Sequence, residues 1–404
     1  MVNAAILGFG VVGSGVAELL DKNSALIAKK VDGLVNLKYI LDVRDFTQSP
    51  FADKFVKDFS LIENDPEVSV VVETIGGTGV ARDFTRRALA AHKSVVSSNK
   101  ELVAEYGCEL LELARENGVT YLFEASVGGG IPILHPLSQC LAANKLSEIT
   151  GILNGTTNYI LTRMINAGLS FEAALKEAQE NGYAERDPSA DIEGRDACRK
   201  ICILASIAFG RHVLPEQVPT EGIAGVTLAD VAYADSCGRK VKLLGRALRR
   251  ENGKVTAYVA PHLVGGKNPL SGVEDVFNAI SVKGDAIGDV MFYGRGAGKM
   301  PTASAVVSDV MDIARNLNGT TPMSWARGGP DAVELPDDLT SAWYVRANCA
   351  APDVRNVFKN ASLLGRSGAP VGETAFLTGE AMTRAQLDKA AFGLSPCSVF
   401  RLLD

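Results

Sequence analysis

The chain has 404 residues, which at roughly 150 residues per domain makes two to three domains and excludes a small binding module. With 47% hydrophobic and 22% charged residues, 40 glycines and 16 prolines, the composition is that of a globular protein and excludes disordered and fibrous classes. A net charge of −6 argues against a protein that coats nucleic acid or clings to an anionic membrane.

Seven cysteines without a C-x-x-C pair form neither a disulfide framework nor a zinc ribbon, and they point to a reducing compartment. Residues 1–10 run into a strand pattern with no signal-peptide features, and the longest apolar stretch, 201–209, is too short to span a bilayer. The expectation is a soluble cytoplasmic protein.

In chain order, residues 3–7, 37–41, 68–73, 94–97 and 120–124 are short apolar runs separated by amphipathic segments. Such alternation predicts parallel βαβ units, so residues 1–135 read as an α/β, Rossmann-type doubly wound domain. Residues 136–301 change character: a strand at 148–153, a helix-rich stretch to about Arg250, then strands near 255–264, 277–283 and 290–293. This predicts a second, α+β domain. Apolar spacing at Val306, Val310, Ile313 and Leu317 predicts a helix over 302–317 that returns to the first domain. Residues 318–338 read as a linker. Residues 339–404 read as strand (342–347), helix (352–361), strand (374–378), helix (384–391) and strand (399–403), a small α/β module of its own.

Gly8-Phe9-Gly10-Val11-Val12-Gly13 follows the first strand and opens a helix, a turn that aims backbone N–H groups at a pyrophosphate. Asp42, at the end of the second strand, suits a ribose 2′-hydroxyl, whereas Arg44 suits a 2′-phosphate, so the choice between NAD and NADP stays open. Ser97-Ser98-Asn99-Lys100 ends the fourth strand, where ligands of open sheets gather; Lys100 either reaches cofactor and substrate or is a solvated lysine starting a helix. After Glu124, Gly128-Gly129-Gly130 offers carbonyls for a hard cation, although the residues alone favour a flexible crossover.

The densest feature spans residues 182–200, with Glu185, Asp187, Asp191, Glu193 and Asp196 among Arg186, Arg195, Arg199 and Lys200. Ile192 occupies the position where a calcium loop needs glycine. Asp196 and Lys200 are four apart on a helix that continues into the apolar stretch 201–209. On a surface such a pair contributes about 0.3–0.5 kcal/mol. Buried and facing a cleft, the lysine exchanges a proton with a carbonyl oxygen. Cys198 and Cys202 read as core thiols, and His92, His135, His212 and His262 lack ligand spacing.

Over roughly residues 1 to 320 the chain resembles the homoserine dehydrogenases. The resemblance rests on residues 8–15, Val43-Arg44-Asp45, residues 97–100, residues 123–128, Asn154-Gly155-Thr156-Thr157-Asn158-Tyr159-Ile160, residues 182–200, and Tyr293-Gly294-Arg295-Gly296-Ala297-Gly298 with Pro301-Thr302-Ala303. It implies NAD(P)-dependent interconversion of L-homoserine and L-aspartate 4-semialdehyde, a step towards threonine, methionine and isoleucine. It implies that Lys200 is the proton donor with Asp196 beside it, that Glu185, Asp196 and Lys100 bind substrate, and that Gly8, Phe9, Gly10, Val11, Val12, Gly13, Arg44, Ser98, Lys100, Gly182 and Gly298 border the cofactor. By the same resemblance Glu124, Val127, Gly129 and Ile131 hold a monovalent cation, sodium or potassium, which reverses the crossover reading, and the partners are a small-molecule substrate and a second copy in a homodimer. The last eighty or so residues look like a reduced ACT domain with Ala350-Ala351-Pro352-Asp353 where a glycine turn is usual, which leaves an amino-acid effector and a role in assembly both open. A semialdehyde dehydrogenase would need a cysteine nucleophile beside a base, and no cysteine here has an obvious histidine partner. A nicotinamide-binding sensor would tolerate loss of Asp196 and Lys200, yet both are present.

Overall fold

The computed structural model describes residues 1–317, 323–329 and 331–404. The chain divides into two units, one of residues 1–146, 202–215 and 283–332, the other of residues 147–201, 216–282 and 333–404.

In the first unit, β1 (Val2–Leu7), β2 (Val35–Leu41), β3 (Phe55–Val56), β4 (Val68–Glu73), β5 (Ser94–Ser97) and β6 (Tyr121–Leu122) form a parallel sheet in the order β3-β2-β1-β4-β5-β6. The strand order switches direction between β1 and β4, which opens a crevice at their carboxyl ends. Val70, Val71 and Val72 are all fully buried, so β4 is covered on both faces there, the reason this stretch is an unbroken apolar run. Helix Lys299–Arg315 packs in this unit against helix Val11–Lys22. Their approach requires Gly15, since a Cβ there would lie 3.0 Å from Lys299 Cγ and 3.1 Å from Ala303 Cβ. The strand expected over 120–124 stops at Leu122, because Glu124–Ser126 turns into a buried 3₁₀ segment. Two-residue β3 has no period to read and was not anticipated.

In the second unit, the strands are β7 (Leu146–Ile152), β8 (Arg239–Arg249), β9 (Val255–Gly265), β10 (Phe277–Gly284), β12 (Trp343–Asn348), β13 (Ser362–Leu364), β14 (Glu373–Leu377) and β15 (Pro396–Leu403), while β11 (Gly288–Arg295) belongs to the first unit. Strands β10, β7, β8, β9, β15, β12, β14 and β13 lie side by side in that order. The stretch expected to be helical to about Arg250 instead ends its helices at Ser236 and continues as β8, which pairs with β9 from Arg239 opposite Gly265 to Arg249 opposite Val255. Residues 241–244 are buried on both faces, Lys242 included, so neither a helical nor an alternating period survives in the sequence.

The C-terminal segment also differs from its reading. Its first helix stops at Val357, and Ser362–Leu364 emerges as an extra strand, giving strand–helix–strand–strand–helix–strand order around a core of Trp343, Val345, Phe358, Phe376 and Leu387. Nor is it a sheet of its own: β15 pairs in parallel with β9, Arg401 opposite His262. Asp230, fully buried on helix Leu228–Ser236, accepts hydrogen bonds from Tyr344 Oη (2.9 Å), Arg346 Nε (2.8 Å) and Ser398 Oγ (3.1 Å), tying strands β12 and β15 to that helix. Of the expected linker, residues 318–322 and 330 lie outside the described residues, while Met323, Trp325 and Ala332 are buried. The Trp325 ring lies over Gly107, where a Cβ would come within 2.6 Å of it. Among the described residues no helix is long and apolar enough to cross a membrane.

Candidate functional site

The glycine-rich turn is built by contacts only glycine permits. Gly8 leaves β1 with φ +92°, and a Cβ there would lie 3.0 Å from Thr74 O; a Cβ on Gly13 would lie 2.0 Å from Gly8 O. Gly10, the N-cap of helix Val11–Lys22, has nothing within 4 Å of its Cβ position, and no side chain caps this helix. The open side and the uncapped N–H groups of Val11 and Val12 therefore fit a phosphate of a dinucleotide.

Phe9 N–H donates to Asp42 Oδ2 at 2.7 Å, and its ring meets Phe46 and Phe55 edge-on, each at 5.0 Å. Asp42 also accepts from Arg44: its backbone N–H (2.9 Å) and Nε (3.0 Å) reach Oδ1, and Nη2 (2.8 Å) reaches Oδ2. The Arg44 guanidinium holds the Asp42 carboxyl well below the usual carboxylate range. The two residues that conflict in the sequence are halves of one ion pair. Ser98 is half-buried beyond β5, and Asn99 caps helix Lys100–Glu116 by accepting the Leu102 N–H at 3.1 Å, so Lys100 starts that helix beside the crevice.

In the second unit, helix Arg195–Phe209 begins with the acid and the lysine that the spacing pairs. Lys200 Nζ lies 2.9 Å from Asp196 Oδ2 and donates to Leu153 O at 2.8 Å; both side chains are under a tenth exposed. Asn154 holds the arrangement together. Its Nδ2 donates to Asp191 Oδ1 (2.7 Å) and Asp196 Oδ2 (2.8 Å), while its Oδ1 accepts the Thr157 N–H at 2.8 Å and caps helix Gly155–Ala167. Glu185 is exposed, and Gly182 carries φ +74° after helix Phe171–Glu180.

The Glu124 loop lies wholly in the first unit. Glu124, 4% exposed, accepts N–H groups from Ile133 (2.6 Å), Leu134 (2.9 Å) and His135 (2.7 Å). Three of about four acceptor positions of a carboxylate are thus filled, leaving room for one further electrophile. Val127 and Ile131 are buried, and Gly129 has φ +57° with its Cβ position 2.3 Å from Gly296 O. Gly298, φ +125°, starts helix Lys299–Arg315. On that helix Asp309 accepts the Glu124 N–H at 2.8 Å, and burial, then the Glu124 charge, push its carboxyl well above the usual range. Among the described residues no group of three or more His, Cys, Asp or Glu is arranged to hold a metal, so a cation here would rest on one carboxylate and backbone carbonyls.

Sequence reasoning missed Asn154, Asp191 and Asp309 as site residues. Two of them had a signal: Asn154 precedes Gly-Thr-Thr like a helix cap, and Asp309 is an acid inside an apolar stripe of Val306, Val307 and Val310.

The family model described as homoserine dehydrogenase matches residues 132–311, and the one described as homoserine dehydrogenase, NAD binding domain, matches residues 8–124. The chain belongs to the homoserine dehydrogenase family. It is similar to the homoserine dehydrogenase of Synechocystis, 42% identical over 362 residues covering 86% of this chain and 83% of that one. The Bacillus subtilis homoserine dehydrogenase is 40% identical over 353 residues, 85% and 81% of the two chains. Among solved structures, the homoserine dehydrogenase of Thiobacillus denitrificans superposes with a TM-score of 0.92 at 33% identity, covering 100% of this chain and 98% of that one. A hyperthermophilic archaeal homoserine dehydrogenase solved in complex with NADPH matches with a TM-score of 0.65 at 29% identity over 77% of this chain and 97% of that one. The chain is accordingly an NAD(P)-dependent oxidoreductase acting on a small molecule.

Proposed function

We propose that the protein interconverts L-homoserine and L-aspartate 4-semialdehyde, a step towards threonine, methionine and isoleucine, with Lys200 as the acid–base group. The observation that carries this reading is the buried Lys200–Asp196 pair, fixed by Leu153 O and by Asn154. Isolated charges are not left buried without a partner, and a lysine held by one carboxylate and one carbonyl presents its proton at a fixed point. Nζ gives that proton to the aldehyde oxygen during reduction and takes it from the hydroxyl during oxidation. Asp196 holds the ammonium in register, and Glu185 and Asp191 supply the negative charge that holds the substrate ammonium. Lys100 is assigned to substrate and cofactor by the family resemblance alone.

A bound nicotinamide nucleotide supplies or accepts the hydride. Gly8 to Gly13 would cradle its pyrophosphate, Arg44 and Ser98 would contact the rest of the nucleotide, and Gly298 would border it. We propose that NADP is preferred. Asp42 is filled by four donors and neutralised by Arg44, whereas Arg44 is 59% exposed and Lys57 lies 3.3 Å from Asp45 on the same rim. The exposed Arg44 guanidinium there can pair with a 2′-phosphate.

The Glu124 carboxylate with the carbonyls of Val127, Gly129 and Ile131 would hold sodium or potassium. The exposed Met291 and Tyr293 on β11 support a homodimer, and seven cysteines with no disulfide among the described residues support a cytoplasmic location. The order β15-β12-β14-β13 and the strand–helix–strand–strand–helix–strand succession support an ACT-like module that extends the second sheet.

The test is the initial rate of nicotinamide reduction with L-homoserine, with NADP and NAD in parallel. Turnover with NADP ahead of NAD is expected, and folded protein inactive with both would refute the reading. Millimolar L-threonine in the same assay reads whether the C-terminal module also carries an effector.

A further inference from the structure

Glu73 ends β4 fully buried, and among the described residues no cation pairs with it. Burial pushes its carboxyl up, a cost that a residue serving only to fill space would not impose. Its two oxygens face two loops. Oε1 accepts the N–H groups of Ile75 (2.8 Å) and Gly76 (3.4 Å), closing the turn that leaves β4. Oε2 accepts the Ser97 hydroxyl at 2.6 Å, at the end of β5.

From there the hydrogen bonds form a ring. Ser97 Oγ accepts the Asn99 N–H at 3.0 Å, Asn99 Nδ2 donates to Gly77 O at 2.7 Å, and Ser98 N–H donates to Glu73 O at 3.2 Å. Asn99 is also the cap that sets where Lys100 begins its helix. On the other side Thr74 Oγ1 donates to Leu7 O (3.0 Å) and Gly8 O (2.8 Å), at the start of the glycine-rich turn. The loops after β1, β4 and β5 are therefore one hydrogen-bonded wall along the crevice where open α/β sheets take ligands.

The middle of that wall has no packing of its own. Gly76 and Gly77 have φ +87° and +67°, and neither Cβ position has an atom within 4 Å. A glycine pair in open space is costly to order, so its shape rests on the hydrogen bonds around it. A carboxyl suits the post because it accepts from two directions at once, here from a backbone turn and from a hydroxyl.

We infer that Glu73, acting through Ser97 and Asn99, is a positioning residue that preorganises the Ile75–Gly77 loop and the Ser97–Lys100 turn for the nicotinamide nucleotide. The inference rests on the reading of this crevice as the nucleotide site. Preorganisation appears in affinity, because an unordered loop must be ordered on binding.

The experiment is a fluorescence titration of NADPH onto the full chain and its variants Ser97→Ala, Glu73→Ala and Glu73→Gln, each checked for folding by circular dichroism and thermal melting. Ser97→Ala and Glu73→Ala are expected to raise the NADPH dissociation constant about tenfold while kcat at saturating NADP changes less than threefold. Glu73→Gln keeps an oxygen for Ile75 and Gly76 and a polar atom for Ser97, so its affinity stays within about threefold of the parent. A purely structural role would lower the melting temperature and leave the affinity of the folded protein unmoved. If both alanine variants fold and bind NADPH like the parent, the inference is overturned; if Glu73→Ala does not fold, Ser97→Ala decides alone. Failure of the parent protein to bind NADPH would overturn the nucleotide-site reading instead.

Discussion

Asn154→Ser separates two jobs that one side chain performs. Serine is as good an N-cap as asparagine, so the cap on Thr157, for which alanine would cost about 1 kcal/mol, survives. What is lost is the reach of Nδ2 to Asp191 and Asp196. Each is a hydrogen bond to a charged group, of order 1.5–3 kcal/mol in place. If about 1.5–3 kcal/mol of that holds Asp196 and Lys200 at their 2.9 Å separation during turnover, kcat falls by about 10- to 10²-fold. The assay is L-homoserine-dependent nicotinamide reduction at saturating substrates, with thermal unfolding of the same preparations. A folded Asn154→Ser protein with kcat within twofold of the parent would refute the clamp.

Arg44→Ala leaves the Asp42 carboxylate without its partner, so the KM for NADP should rise at least tenfold while that for NAD changes less; equal changes would contradict the 2′-phosphate role. Replacing sodium and potassium with a bulky organic cation should lower activity severalfold, and an unchanged rate would count against the Glu124 loop as a cation site. Burial pushes the Lys242 ammonium down to about 8, below its unfolded value of about 10.5, so between these pH values the unfolded chain binds more protons. Its destabilising contribution is complete below pH 8 and relaxes as pH rises to 10.5. The unfolding free energy of the parent relative to Lys242→Met should therefore improve by roughly 3 kcal/mol across that window, measured by chemical denaturation, and a flat difference would contradict the burial argument.

The parts of the fold legible in the sequence are those whose burial leaves a period or a punctuation mark. The runs at β4 and β5 match the predicted residues, because a parallel strand covered on both faces has an apolar centre, here Val70–Val72 and Val95–Val96, bounded by polar residues. Strand β8 was hidden by its lysine, a charge kept inside by Asn158 Oδ1 and Val273 O that reads as solvent-facing until those partners are known. Strand β13 was hidden by length, since three residues after a helix look like one more turn.

At the site, the i, i+4 spacing was enough to bring Asp196 and Lys200 together, because a helix fixes that distance. The Asn154 clamp was not legible, as it joins residues 37 and 42 positions apart through a single amide. The Asp42–Arg44 pair shows the same limit at short range. Two side chains that suit alternative ligands turned out to satisfy each other.

The central claim is that Lys200 moves the proton. Lys200→Ala, assayed with L-homoserine and NADP beside a titration of NADPH, should lower kcat by roughly 10²- to 10⁴-fold while the NADPH dissociation constant stays within a few-fold of the parent. A folded Lys200→Ala protein that keeps kcat within a factor of a few would contradict the account.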